Sequence, residues 1–121
     1  MFLRALLASA AILGAGRSHH PAESLPLTRG VYVDVGTSCR GAATSERSWF
    51  GGGDVIQASH AHCDALSASR KGPARYLVVN LCRAEGAAAS YRVVDRITVV
   101  SSTEFELENR FGRFHARWCR E

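Results

Sequence analysis

Lysine is nearly missing from this chain: Lys71 stands alone among 15 basic residues, the others being arginine. Methionine occurs only at Met1, proline three times, and aromatics make up 8% of 121 residues. Past residue 16 no apolar run approaches the roughly 20 residues that a membrane-spanning helix needs, which excludes such a helix from that part of the sequence. No later stretch repeats apolar residues at helical spacing, and a helix bundle is excluded with it. The formal charge of +4 is small, well short of a nucleic-acid-binding footprint. The length fits one domain and is too short for two with cores of their own.

What is present begins with a leader. MFLR supplies one positive charge, ALLASAAILGAG is apolar and ends in small residues, and RSHHPAES is polar from its first position. This is the anatomy of a cleavable secretory signal, and Gly14 and Gly16 place cleavage near Gly16. Residues 1–16 contain only Arg4 among the charged positions, so the mature chain keeps 14 basic and 11 acidic residues, a net of +3. The expected location is periplasmic or secreted, with no stable membrane insertion after cleavage. Residues 17–29 read as an extended lead-in, and residues 30–121 as one disulfide-stapled β domain. His19 and His20 lie in the lead-in, where a tail offers a metal no fixed geometry.

From Gly30 onward, short runs rich in Val, Ile, Tyr, Phe and Thr alternate with Gly, Pro, Asn and Ser clusters. GVYVDVGT puts Val31, Val33 and Val35 on one face and Tyr32 and Asp34 on the other. SWF, DVIQAS, HAHCDALSAS, RYLVVNLCR, SYRVVDRITVV, TEFELE and RFHARWC follow, mostly joined by tight turns. The pattern predicts an all-β antiparallel meander of about seven strands, closed into a small barrel or half-open barrel. A two-sheet sandwich is the alternative.

Four cysteines in an exported domain imply two disulfides. Around the turn KGPA, Arg70 opposite Arg75 sets a register in which opposed positions add to 145. Cys63 and Cys82 satisfy it, and cysteines directly opposite on antiparallel strands can bridge. Cys39–Cys119 is then the second bridge, expected at the seam where first and last strands close a barrel. A second hairpin, around NRFG, has the Asn and Gly preferences of a type I turn. Its register pairs Glu104 with Arg117, Glu106 with His115 and Glu108 with Arg113 on one face. On the other face Phe105 meets Ala116, Leu107 meets Phe114, and Thr103 sits opposite Trp118. Charge pairs outside and apolar pairs inside make a coherent two-faced hairpin.

That register accounts for two tempting patterns. Three glutamates need not be glycosidase acids, because each has a cationic neighbour. RFGRFHARW, basic and aromatic by turns, need not bind single-stranded nucleic acid, because its aromatics alternate inward. The stretch SHAHCDA raises a metal question: His60, His62 and Asp64 share a strand face, and Cys63 points away from them. The spacing resembles the opening of the metallo-β-lactamase motif, but Ala65 stands where that motif has its last histidine, and the chain is too short for that fold. His60, His62 and Asp64 remain the candidates for a metal, with solvent-facing positions as the simpler reading. Gly51–Gly53 lacks the Lys-Ser/Thr of a phosphate loop. No nucleophile–base arrangement is legible and no cofactor is implied.

LPLTRGVYVDVGTSC, then WFGGG, a central cysteine and a last strand ending in cysteine resemble a type seen among small exported disulfide-containing bacterial proteins. That resemblance implies export and a stapled β domain but carries no activity. Lysozyme inhibitors of the bacterial periplasm are similar in size and class, although their C-terminal serine-glycine loop has no counterpart here. The functional expectation is a non-enzymatic binding or inhibitor module acting on a protein or cell-envelope ligand through a loop or a barrel mouth. Arg40 to Arg47, with Trp49 and Phe50 beside them, form the candidate surface. The alternatives are a structural or stress-tolerance envelope component, and a metal-dependent enzyme using His60 and His62.

Overall fold

Eight antiparallel strands run through residues 24–120, the part of the chain that the computed structural model describes. They are β1 (Gly30–Asp34), β2 (Arg47–Phe50), β3 (Ile56–Ala58), β4 (Ala61–Arg70), β5 (Arg75–Ala84), β6 (Ser90–Ser101), β7 (Glu104–Asn109) and β8 (Gly112–Trp118). A single turn of 3-10 helix at Thr44–Glu46 is the only helical element among the described residues. Residues 1–16, expected to be a signal segment, and His19 and His20 lie outside them.

The strands hydrogen-bond in the order β3-β2-β1-β8-β7-β6-β5-β4, a meander rolled into a nearly closed barrel. Alternation supplies the interior. Tyr32, Phe50, Ile56, Val78, Ile97, Phe105, Leu107 and Ala116 form one buried cluster, and Ala65 and Ala68 pack on it, so every strand contributes. Each fully buried large side chain of this kind contributes about 1.5–3 kcal/mol.

The first and last strands pair directly, Tyr32 with Trp118 and Asp34 with Ala116. Cys39–Cys119 joins the chain just beyond that pair, stapling the first strand to the last as the sequence implied. The break in the ladder falls between β3 and β4, the two ends of the hydrogen-bonded order. There the Gln57 side chain accepts from Cys63 N (2.9 Å) and donates to Cys63 O (2.8 Å), standing in for a backbone pair.

Cys63 and Cys82 are opposed and bridged, as the turn arithmetic predicted. The turn itself is one residue longer than KGPA implied, because Arg70 pairs with Tyr76 rather than Arg75. A bulge between Ala65 and Ser67 absorbs the extra residue, leaving Leu66 exposed. The β7–β8 register is the predicted one at every position from Glu104↔Arg117 to Asn109↔Gly112.

The two barrel ends differ. At one, residues 25–28 fold across the opening: Leu25 is buried, Leu27 packs on the core, and Tyr32 OH donates to Thr28 O at 2.6 Å. Leu25 N donates to Gly53 O (2.7 Å) and Thr28 N to Ser102 O (2.7 Å), fixing this plug to two connections. Gly52 and Gly53 take positive φ of 92° and 107° there, so the glycine run serves a turn that only glycine adopts easily. Among the described residues the other end stays open.

Candidate binding site at the barrel mouth

Alternation along β5 and β6 carries polar side chains into the barrel as well as apolar ones. Asn80 sits between Val78 and Cys82 on the inward face, and Asp95 between Val93 and Ile97. Both are buried, Asn80 at 1% exposure and Asp95 at 4%. Asn80 Nδ2 donates to Asp95 Oδ2 at 2.9 Å. Asn109 Nδ2, at the end of β7, donates to Asp95 Oδ1 at 3.0 Å. Asn109 also accepts Phe111 N–H through its Oδ1 at 2.8 Å, so the β7–β8 turn holds it in place.

No cation lies within ion-pair distance of Asp95 among the described residues. Burial pushes its carboxyl above the usual aspartate range, against the opposing pull of the Asn109 and Asn80 hydrogen bonds. Asn80 Oδ1 has no hydrogen-bond partner. A carboxylate only accepts, so the amide nitrogen must face it and the oxygen is turned away. Leaving such an acceptor buried costs about 1–3 kcal/mol.

Asp95 lies on the wall of a cavity of about 500 Å³ that opens at the unplugged end. Phe105, Leu107, Ile56 and Ala116 form its apolar wall, and Asp34, Ser48 and Ala58 its β1–β3 side. Phe111 (61% exposed) and Phe114 (46% exposed) stand at the rim. The Arg110 guanidinium lies over the Tyr91 and Phe111 rings at 5.4 and 5.1 Å from their centroids. Both arginines that line the cavity are occupied elsewhere. Arg47 donates to Cys39 O and Ala42 O (3.0 and 3.1 Å from Nη2), and Arg113 to Glu108 Oε2 (3.2 Å).

A larger depression, about 620 Å³, lies along the outward charge ladder of Arg96, Glu106, Glu108, Arg113 and His115. Of the three expected charge pairs only Glu108–Arg113 forms directly. His115 bonds Glu104 diagonally instead, and Arg117 turns to Thr37 O (2.8 Å) and Cys39 Sγ (3.4 Å). The register was right, but longer side chains chose better-placed acceptors.

The sequence-derived candidates scatter. Phe50 is core, while Trp49, its neighbour, is half exposed on the outer face. Phe50 therefore offers no surface to a ligand. Arg40 is exposed, and Arg47 ties its own loop down over Val33, Ala42 and Cys119, a second buried cluster outside the barrel. His62 and Asp64 are exposed and 3.3 Å apart, His60 is exposed just before β4, and Cys63 points inward to its disulfide. Among the described residues no three His, Cys, Asp or Glu side chains come together as a metal-holding group. Sequence reasoning missed Asp95 and Asn80. The signal was there: each is a polar residue at a core position of an alternating strand.

The fold and site together define an all-β meander barrel with one plugged end and one open, polar-walled mouth. Comparison with known proteins yields no matching family model, no matching curated protein and no matching solved structure.

Proposed function

We propose that this chain is an exported, non-enzymatic binding module that takes its ligand at the open mouth of the barrel. Asp95 carries the reading. A buried carboxyl without a counter-charge, beside an amide oxygen without a donor, weakens a fold that Leu or Val at the same position would strengthen. Its place on the wall of a cavity of about 500 Å³ gives that cost a use, since binding cavities are mostly apolar with a few fixed polar groups. Two disulfides are compatible with an oxidising, non-cytoplasmic location, and the leader-like residues 1–16 favour the periplasm or the exterior. The cavity lining includes Ser45 and Ser48 but neither histidine nor cysteine, so the lining has no nucleophile–base pair of the usual kind. The test is native mass spectrometry of the oxidised protein taken from its own export compartment, beside Ala58→Trp, which fills the mouth. A small-molecule adduct on the wild type that Ala58→Trp loses supports the reading. Bare chain in both, or an adduct that both retain, counts against it.

A structural, self-assembling envelope component is the second reading. Leu66, Leu81 and Val94 are exposed on the outer faces of β4, β5 and β6, with Val94 directly opposite Val79. Exposed apolar patches on a sheet mark contact surfaces. Sedimentation equilibrium that finds an oligomer in the wild type and a monomer in Leu81→Arg would favour it.

A further inference from the structure

The acceptors at the mouth narrow the chemistry of what enters it. Resting on the reading of the mouth as a binding site, we propose that its ligand is a small organic ammonium, a protonated primary amine on a compact apolar body.

Two acceptor atoms, Asp95 Oδ1 and Oδ2, belong to the one buried carboxylate in the cavity lining. Each receives one amide N–H and keeps a lone pair, while Asn80 Oδ1 is turned away from them. An ammonium carries donors and no acceptor, the complement of an acceptor-only carboxylate. Hydrogen bonds from a cation to a desolvated carboxylate are about twice as strong as neutral ones. Asp34, on the inward face of β1, adds a second carboxylate at the entrance.

The lining cations do not reverse this sign. Arg47 is spent on the carbonyls of its own loop and Arg113 on Glu108, so an anionic ligand would find neither lining guanidinium free and would face Asp95. A bare divalent metal is also a poor fit, because it needs several charged oxygen ligands and the described residues gather no such group. The ligand's apolar part has Phe105, Leu107, Ile56 and Phe114 to lie against. The exposed Phe114 at the rim adds an aromatic group that attracts a cation.

The test is isothermal titration calorimetry of the full oxidised chain at neutral pH with three probes of one shape. These are 2-phenylethylamine hydrochloride, 2-phenylethanol and 3-phenylpropionate, each titrated into wild type, Asp95→Asn and Ala58→Trp. The expected result is amine binding to the wild type at least about tenfold tighter than the alcohol. Asp95→Asn brings the amine down to the level of the alcohol, while Ala58→Trp removes both. Should Asp95→Asn not fold by near-ultraviolet circular dichroism, the wild-type preference for amine over alcohol decides alone. Equal or tighter binding of alcohol or propionate overturns the ammonium proposal but keeps the mouth as a site, if Ala58→Trp abolishes that binding. Binding of none of the three overturns the proposal and withdraws support from the mouth reading too.

Discussion

The Gln57 side chain pairs with the Cys63 backbone as a strand would, accepting its N–H at 2.9 Å and donating to its carbonyl at 2.8 Å. One amide side chain thus replaces a rung of ladder where β3, three residues long, runs out beside β4, ten residues long. Gln57→Ala is expected to cost about 1–2 kcal/mol, since it leaves two backbone groups to partial solvation. Denaturant unfolding measures the cost, and hydrogen exchange should show the Cys63 amide losing protection more than its strand neighbours. Unchanged exchange at Cys63 would mean that the seam is held by something else.

Asp95 sets a second expectation, in pH. Burial raises its folded pKa above the unfolded value, so the folded state holds the proton longer than the unfolded one. Stability from this group is present at low pH. It falls as pH climbs from about 4, the unfolded aspartate value, through the folded pKa. Asp54 is shifted the same way by burial, so the comparison must be with Asp95→Asn rather than with wild type alone. The variant lets Asn80 turn its oxygen toward the new amide and satisfies the orphan acceptor. It should be more stable than wild type at pH 7 by about 1–2 kcal/mol, with the gap closing toward pH 4. A less stable variant at pH 7 would mean that the carboxylate is well paid for as it stands.

Arg113 and Arg117 occupy equivalent outward positions of β8 opposite Glu108 and Glu104. Their expected costs differ because their partners do. Arg113 makes an exposed ion pair with Glu108, and Arg113→Gln should cost less than about 0.5 kcal/mol. Arg117 anchors Thr37 O and touches Cys39 Sγ, so Arg117→Gln should cost about 1–2 kcal/mol and loosen the loop after β1. Chemical denaturation of the two variants side by side decides the order.

The two disulfides should be unequal. Cys39–Cys119 spans 80 residues and Cys63–Cys82 spans 19. Loop entropy alone gives about 4.5 kcal/mol for the longer and about 3 kcal/mol for the shorter. Replacing Cys39 and Cys119 together by alanine should therefore lower the denaturant midpoint further than replacing Cys63 and Cys82. The reverse order would place the stabilisation in the native contacts of the β4–β5 ladder.

Much of this architecture can be read from particular residues. The β7–β8 hairpin is legible because glutamates and arginines alternate against Phe105, Leu107 and Ala116, and Asn109 and Gly112 fit the turn. Every local signal there agrees. Cys63–Cys82 is legible for a subtler reason: the misjudged turn and the unforeseen bulge at Leu66 lie on the same side of the pair and cancel. The plug was hidden because Leu25 and Leu27 sit in a proline-bearing lead-in with no periodicity of its own. Trp49 and Phe50 cannot share one surface, because adjacent strand residues point to opposite faces. The candidate site was hidden for another reason. Asp95, Asn80 and Asn109 come from three strands, and only the register of the closed barrel brings them together.

Ligand entry at the mouth rather than on the outer face can be read residue by residue. The measurement is amide chemical-shift mapping of the uniformly 15N-labelled, oxidised chain titrated with 2-phenylethylamine. Saturable shifts centred on Asp34, Ser48, Ala58, Asp95 and Asn109 are expected. Shifts centred on Trp49, Leu66 or Val94, with the mouth silent, would contradict it.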